Sequence, residues 1–130
     1  MDNGSDTNTL INLTQKLLDS IANKDWDTYA SLVEEKFTAI EKEANYNVVE
    51  GLEFHKFYFD LPNDQNIAIK ENILQPLIRI TGDIGIVCYK RLRTIVNIDN
   101  NTTKTEVGTE TRVWRNNLNT GWRLIHFHKS

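Results

Sequence analysis

A second cysteine is missing from this sequence, so Cys88 can form no disulfide within the chain and no multi-cysteine metal site exists. Inside its apolar run, Cys88 is expected as a small core residue. No run of apolar residues is long enough to cross a bilayer. Met1 to Asn8 is polar and lacks the apolar core of a secretory signal. We therefore expect a flexible tail over residues 1–8, a single domain over 9–130, no membrane contact and a cytoplasmic location. Basic charge is not in excess: 15 Lys and Arg face 18 Asp and Glu, interleaved, for a net charge of −3. That excludes the basic patch a nucleic-acid partner needs. Gly-rich phosphate loops, nucleophile elbows and H-E-x-x-H are also lacking. No catalytic residue, cofactor or metal is expected.

What is present is apolar periodicity that changes once. Leu10, Leu13, Leu17 and Ile21 share a helical stripe that ends near Asn23-Lys24. Asp25 caps a shorter helix with apolar Trp26, Tyr29, Ala30 and Val33. Phe37–Ile40 and Asn45–Val49 read as a small hairpin, with Glu41-Lys42-Glu43 at an exposed turn. Gly51 opens a third helix, with Phe54, Phe57, Tyr58 and Leu61 on one face, and Pro62-Asn63-Asp64 stops it. From Asn66 the period is two. The phase flips near Gln75-Pro76, which marks a bulge, and Gly82-Asp83 is a tight turn. Further strands are expected over Ile84–Ile98, Thr103–Arg115 and Trp122–His128. Three helices followed by long antiparallel strands make an α+β cone, with the helices on one face of a curved antiparallel sheet.

Both faces of the strand Ile84–Ile98 are mainly apolar. One carries Ile84, Ile86, Cys88 and Leu92, and the other Val87, Tyr89 and Ile95. Helices cover only one face, so a second copy of the chain is the simplest cover for the other. Arg91 and Arg112 lie within apolar strands, and Lys129 follows the last. Buried cations need partners. They either pair with Glu106, Glu110 or Glu71, or line a pocket for a carboxylate, whose geometry an Arg fork matches. His126 and His128 share a face and are read as structural. His55, with Tyr58 one turn on, is either a packed helix residue or an acid–base group at a cone mouth.

The run Asn47-Val48-Val49-Glu50-Gly51-Leu52-Glu53-Phe54-His55-Lys56-Phe57-Tyr58-Phe59 resembles the association domain of calcium/calmodulin-dependent protein kinase II. So do Thr38-Ala39-Ile40-Glu41-Lys42-Glu43-Ala44, Glu110-Thr111-Arg112-Val113-Trp114 and Ile125-His126-Phe127-His128-Lys129-Ser130. Ile73-Leu74-Gln75-Pro76 and Gly82-Asp83 fit the connecting segment. The resemblance spans about Leu10 to Ser130. It implies the nuclear transport factor 2-like cone and an oligomerisation hub, in which dimers build a two-tiered ring that clusters kinase domains. The parent protein would be a calmodulin-binding Ser/Thr kinase. It also implies a pocket for small carboxylates lined by Arg91, Arg112, His55 and Tyr58, with Lys129 where the family has a third Arg. Lys keeps the charge but lacks the planar fork. A stand-alone isomerase or hydratase on the same cone, acting on a carboxylated small molecule through these residues, is the other reading.

Overall fold

A computed structural model describes residues 3–62 and 64–130. Helix α1 spans Asn3–Ala22 and α2 spans Trp26–Leu32. Strand β1, Val33–Ile40, follows without a loop, and a single 3-10 turn over Lys42–Ala44 leads to β2, Val48–Glu50. Helix α3 is Glu53–Phe59. Four long strands complete the chain: β3 Ile67–Thr81, β4 Ile84–Asn97, β5 Thr102–Asn117 and β6 Gly121–Lys129.

Local chemistry sets the helix ends. The α1 stripe buries Leu10, Leu17 and Leu18 completely. Thr14 and Ser20 are buried beside them, each bonding back to a helix carbonyl, at 2.8 and 2.6 Å, so no hydroxyl is stranded. Lys24 takes a left-handed φ of 53° just past the helix, where the helical hydrogen-bond ladder ends. Asp25 then caps α2, accepting from the backbone and the hydroxyl of Thr28.

The six strands form one sheet in the order β2-β1-β6-β5-β4-β3. The expected sheet was antiparallel throughout, but β1 and β6 run parallel, pairing Thr38 with His126 and Ile40 with His128. The sheet is therefore mixed: β1, which follows α2 directly, lies beside the last strand and runs in the same direction. The β3–β4 register breaks between Leu74 and Leu77, with Gln75 at φ 51°, which places the bulge at Gln75-Pro76. The hairpin corner after β3 uses Gly82 at φ 59°.

Helix α1 crosses the inner face of β3 and β4. Its close approach depends on Gly85: a Cβ there would stand 2.4 Å from Leu10 Cδ1 and 3.3 Å from the Trp122 ring. The core between helices and sheet is built from Leu10, Leu17, Leu18, Phe37, Val87, Trp114 and Leu124.

Several expectations are corrected. Helix α1 begins at Asn3, so residues 3–8 are helical rather than a tail, while Met1 and Asp2 lie outside the described residues, as does Asn63 of the expected helix stop. Val33 opens β1 rather than closing α2. In α3, Phe57 and Leu61 are exposed, and the inward stripe is instead Leu52, His55 and Phe59, which share a face at helical spacing. Cys88 is only partly buried, on the outer face, 3.7 Å from the Thr111 hydroxyl.

Candidate functional site

Strand alternation sends Glu71, Arg91, Arg93, Glu110, Arg112 and Lys129 toward the inner face, beyond the end of the apolar core. The register fixes who meets whom: Glu71 stands opposite Arg93, and Tyr89 opposite Glu110. Helix α3 closes the mouth of the cone with His55, Tyr58 and Phe59. These three, with Arg91, Arg93, Arg112 and Lys129 of the strands, line a cavity of about 220 Å³ together with Tyr29, Glu41, Glu43 and Phe127. All five residues expected in a pocket, Arg91, Arg112, Lys129, His55 and Tyr58, line this one space.

The arginines are partnered inside the fold. Arg91 gives a two-pronged bond to Glu71, at 2.8 and 3.0 Å, and a third at 2.7 Å to Glu110. Arg93 joins Glu71 at 2.7 Å. Arg112 donates to the Tyr89 hydroxyl at 2.9 Å and to Glu110 at 3.2 Å, with its guanidinium 4.0 Å above the Phe127 ring. Tyr89 closes the network by donating to Glu110. Of the three acids considered from sequence, Glu71 and Glu110 are the partners. Glu106 lies instead 4.0 Å from Lys104 on exposed surface.

Burial and charge set the ionisation. Burial pushes Glu110 up, but Arg112 and then Arg91 outweigh it and hold the carboxyl at about 2. Burial works against a charged Arg91, yet Glu71 and Glu110 keep it protonated more firmly than usual. Arg112 is raised in the same way by Tyr89 and Glu110 against full burial. Burial also raises the phenol of Tyr29, with Arg112 opposing and Glu41 adding to the shift.

The turn Glu41-Lys42-Glu43, expected to be exposed, supplies two acids to the cavity. Glu41 is buried and accepts from His55 Nε2 at 3.0 Å. A carboxylate accepts only, so Nε2 carries a proton toward Glu41, and Nδ1 on the other side of the ring is buried without a partner. Glu43 meets Lys129 at 3.2 Å. Sequence reading missed Glu41, Tyr29 and Arg93 as wall residues. Arg93 was findable, since it shares strand parity with Arg91.

Outside the cavity, His126 and His128 lie on the outer sheet face, where His126 Nδ1 is 2.6 Å from the Thr38 hydroxyl. Burial lowers the pKa of His126, and His128 lowers it further. On that same face Leu74, Leu77, Ile86 and Val107 are exposed by 38%, 50%, 37% and 62%, which is too much apolar surface to count as scattered residues. Among the described residues no helix is long and apolar enough to cross a membrane.

Comparison with known proteins adds to this picture. The family model described as the calcium/calmodulin dependent protein kinase II association domain matches residues 6–130. The chain is 36% identical over 123 residues to the calcium/calmodulin-dependent protein kinase type II alpha chain of Drosophila melanogaster, covering 93% of this chain but only 23% of that protein. Among solved structures it is similar to the association domain of the C. elegans kinase, with a TM-score of 0.88, 34% identity and coverage of 98% and 96% of the two chains. The hub of the S. rosetta kinase gives a TM-score of 0.80 at 36% identity, covering 93% and 92%. A nuclear transport factor 2-like protein from Salmonella enterica, at 20% identity and a TM-score of 0.75, shares the fold.

Proposed function

The chain belongs to the calcium/calmodulin dependent protein kinase II association domain family, and from that premise we propose that it is an oligomerisation hub whose copies pair and close into a two-tiered ring. The observation that carries this reading is the apolar outer face formed by Leu74, Leu77, Ile86 and Val107. A second copy covers that face in a self-complementary pairing, and a further, rotated contact between pairs closes the ring. The exposed Phe57 and Leu61 of the α3 region give a second apolar surface for that contact. The ring would gather kinase domains of a longer, calmodulin-binding Ser/Thr kinase in the cytoplasm. Tethering raises their local concentration and favours phosphorylation of one by another. Nucleic acid and membrane have no part in this reading.

We further propose that the inner cavity takes a small carboxylate, held by the cationic wall of Arg91, Arg112 and Lys129. The family assignment weighs against the isomerase or hydratase reading, and no catalysis is assigned to this domain.

Leu77→Glu tests the assembly. Leu77 is half exposed in the single chain, so the substitution leaves the fold intact. Completing its burial stabilises each copy by about 1 kcal/mol, and an unpaired buried carboxylate costs several kcal/mol more. The pairing should weaken at least ~100-fold. Sedimentation velocity should show mainly single subunits, and an unchanged assembly would remove this face from the interface.

A further inference from the structure

The outer face of the sheet holds two histidines that the cavity does not use. His126 and His128 alternate on β6, so both rings leave the sheet on one side, their Cα atoms about 6.6 Å apart. Each ring is within electrostatic reach of the other. Two imidazoles at this spacing on a strand can reach one metal ion through Nε2. Metal on Nε2 requires the proton on Nδ1. For His126 an acceptor is in place, since the Thr38 hydroxyl oxygen lies 2.6 Å from Nδ1, and contacts of this kind fix the ring of a ligating histidine. The other neighbours in register, Val113 for His126 and Thr111 and Ile40 for His128, are uncharged.

One chain supplies only half a site. Among the described residues no three His, Cys, Asp or Glu side chains of a single chain gather to hold a metal. A second chain completes the set where its own pair of histidines meets the first. Strand β6 is third in the sheet order, and this face carries exposed apolar residues on both sides of it. Val48 of β2, 68% exposed, lies in the row of Ile40 and His128. Leu77 of β3, 50% exposed, lies in the same row beyond Thr111 and Cys88. The histidines therefore sit inside the apolar patch and not at its rim. A self-complementary pairing that buries the patch evenly puts its axis through the middle, where residues meet their own copies.

We infer that two copies of the chain share one tetrahedral zinc ion between their outer faces, held by Nε2 of His126 and His128 from each. The inference rests on the reading of this face as the pairing surface and adds a ligand to it. Four neutral imidazoles fill the coordination sphere, so the ion is structural and keeps no open position for chemistry. Thr38 is a positioning residue for His126. Glu50, opposite Thr38 on the same face, offsets part of the metal's charge.

Metal binding to the tag-free, metal-stripped assembly tests this. Calorimetry should give one zinc per two chains, and cobalt in its place should give the strong visible absorption of a tetrahedral ion. His128→Gln changes an exposed side chain and, in protein that still assembles, should abolish both signals. Thr38→Val should weaken zinc binding by about tenfold or more. An assembly that binds no zinc at micromolar concentration overturns the inference and leaves the hub standing. So does one zinc per chain with the weak absorption of an octahedral cobalt ion, or binding that His128→Gln leaves unchanged. The wild-type stoichiometry and spectrum decide the matter even if a variant fails to fold. Protein that stays as single chains refutes the pairing itself, and the shared site with it.

Discussion

Glu110→Gln should cost this protein about 3 kcal/mol, because the carboxylate joins two buried guanidinium groups. One oxygen accepts from the Tyr89 hydroxyl and Arg112, the other from Arg91 at 2.7 Å, and the side chain is 1% exposed. Glutamine keeps the shape but turns one acceptor into a donor that faces other donors. Removing one partner of a buried ion pair costs about 3–5 kcal/mol. Linkage gives a second route to the same figure. The carboxyl is held at about 2, against a usual 4.5, a difference that corresponds to about 3 kcal/mol. The folded-state value is depressed, so this stabilisation is fully present above the unfolded value, near 4.5, and is lost as pH falls through about 2. Urea unfolding followed by circular dichroism, at one fixed subunit concentration since assembly adds to stability, measures it. The wild type should exceed Glu110→Gln by about 3 kcal/mol at pH 7 and by about half of that at pH 3. A gap under about 1 kcal/mol at pH 7, or one unchanged at pH 3, would refute the reasoning.

Other outcomes follow from the same geometry. Gly85→Ala forces a methyl against the fully buried Leu10. It should destabilise by about 1–3 kcal/mol, read as a lower melting temperature, and an unchanged melt would mean that α1 shifts freely over β4. Arg112→Ala, in protein that keeps its assembled mass, should weaken binding of a small carboxylate by about tenfold or more. Unchanged affinity by calorimetry would remove Arg112 from the site. Asp25→Ala removes the side-chain cap of α2 and should cost about 1 kcal/mol in denaturant unfolding.

The strands were legible because a two-residue period persists over β3, β4 and β5 and is interrupted only at Gln75-Pro76. The buried arginines were legible for the same reason: a cation within an apolar strand demands an acid, and two of the three acids considered, Glu71 and Glu110, are the partners, while Glu106, at the same parity as Glu110, pairs with Lys104 instead. The parallel union of β1 with β6 was not legible, since Thr38 and His126 are brought together by the fold and no local pattern records it. Glu41 was misread for a related reason. In its own segment it is one acid among several beside a turn. Only α3, arriving from further along the chain, buries it against His55. The face of α3 was misjudged because seven residues hold too few turns to define a stripe, and Phe59, which packs on Tyr29 at 4.8 Å, competes with Phe57 for the core. The apolar outer face was read correctly as a pattern, since the odd and even positions of β4 are both apolar in sequence.

Self-association remains the claim on which the account turns, and the mass of the native protein in solution tests it most directly. Size-exclusion chromatography with light scattering should give a species many times the 15.1 kDa of one chain, in whole-number multiples of a pair. A mass of one or two chains across the micromolar range would contradict the hub.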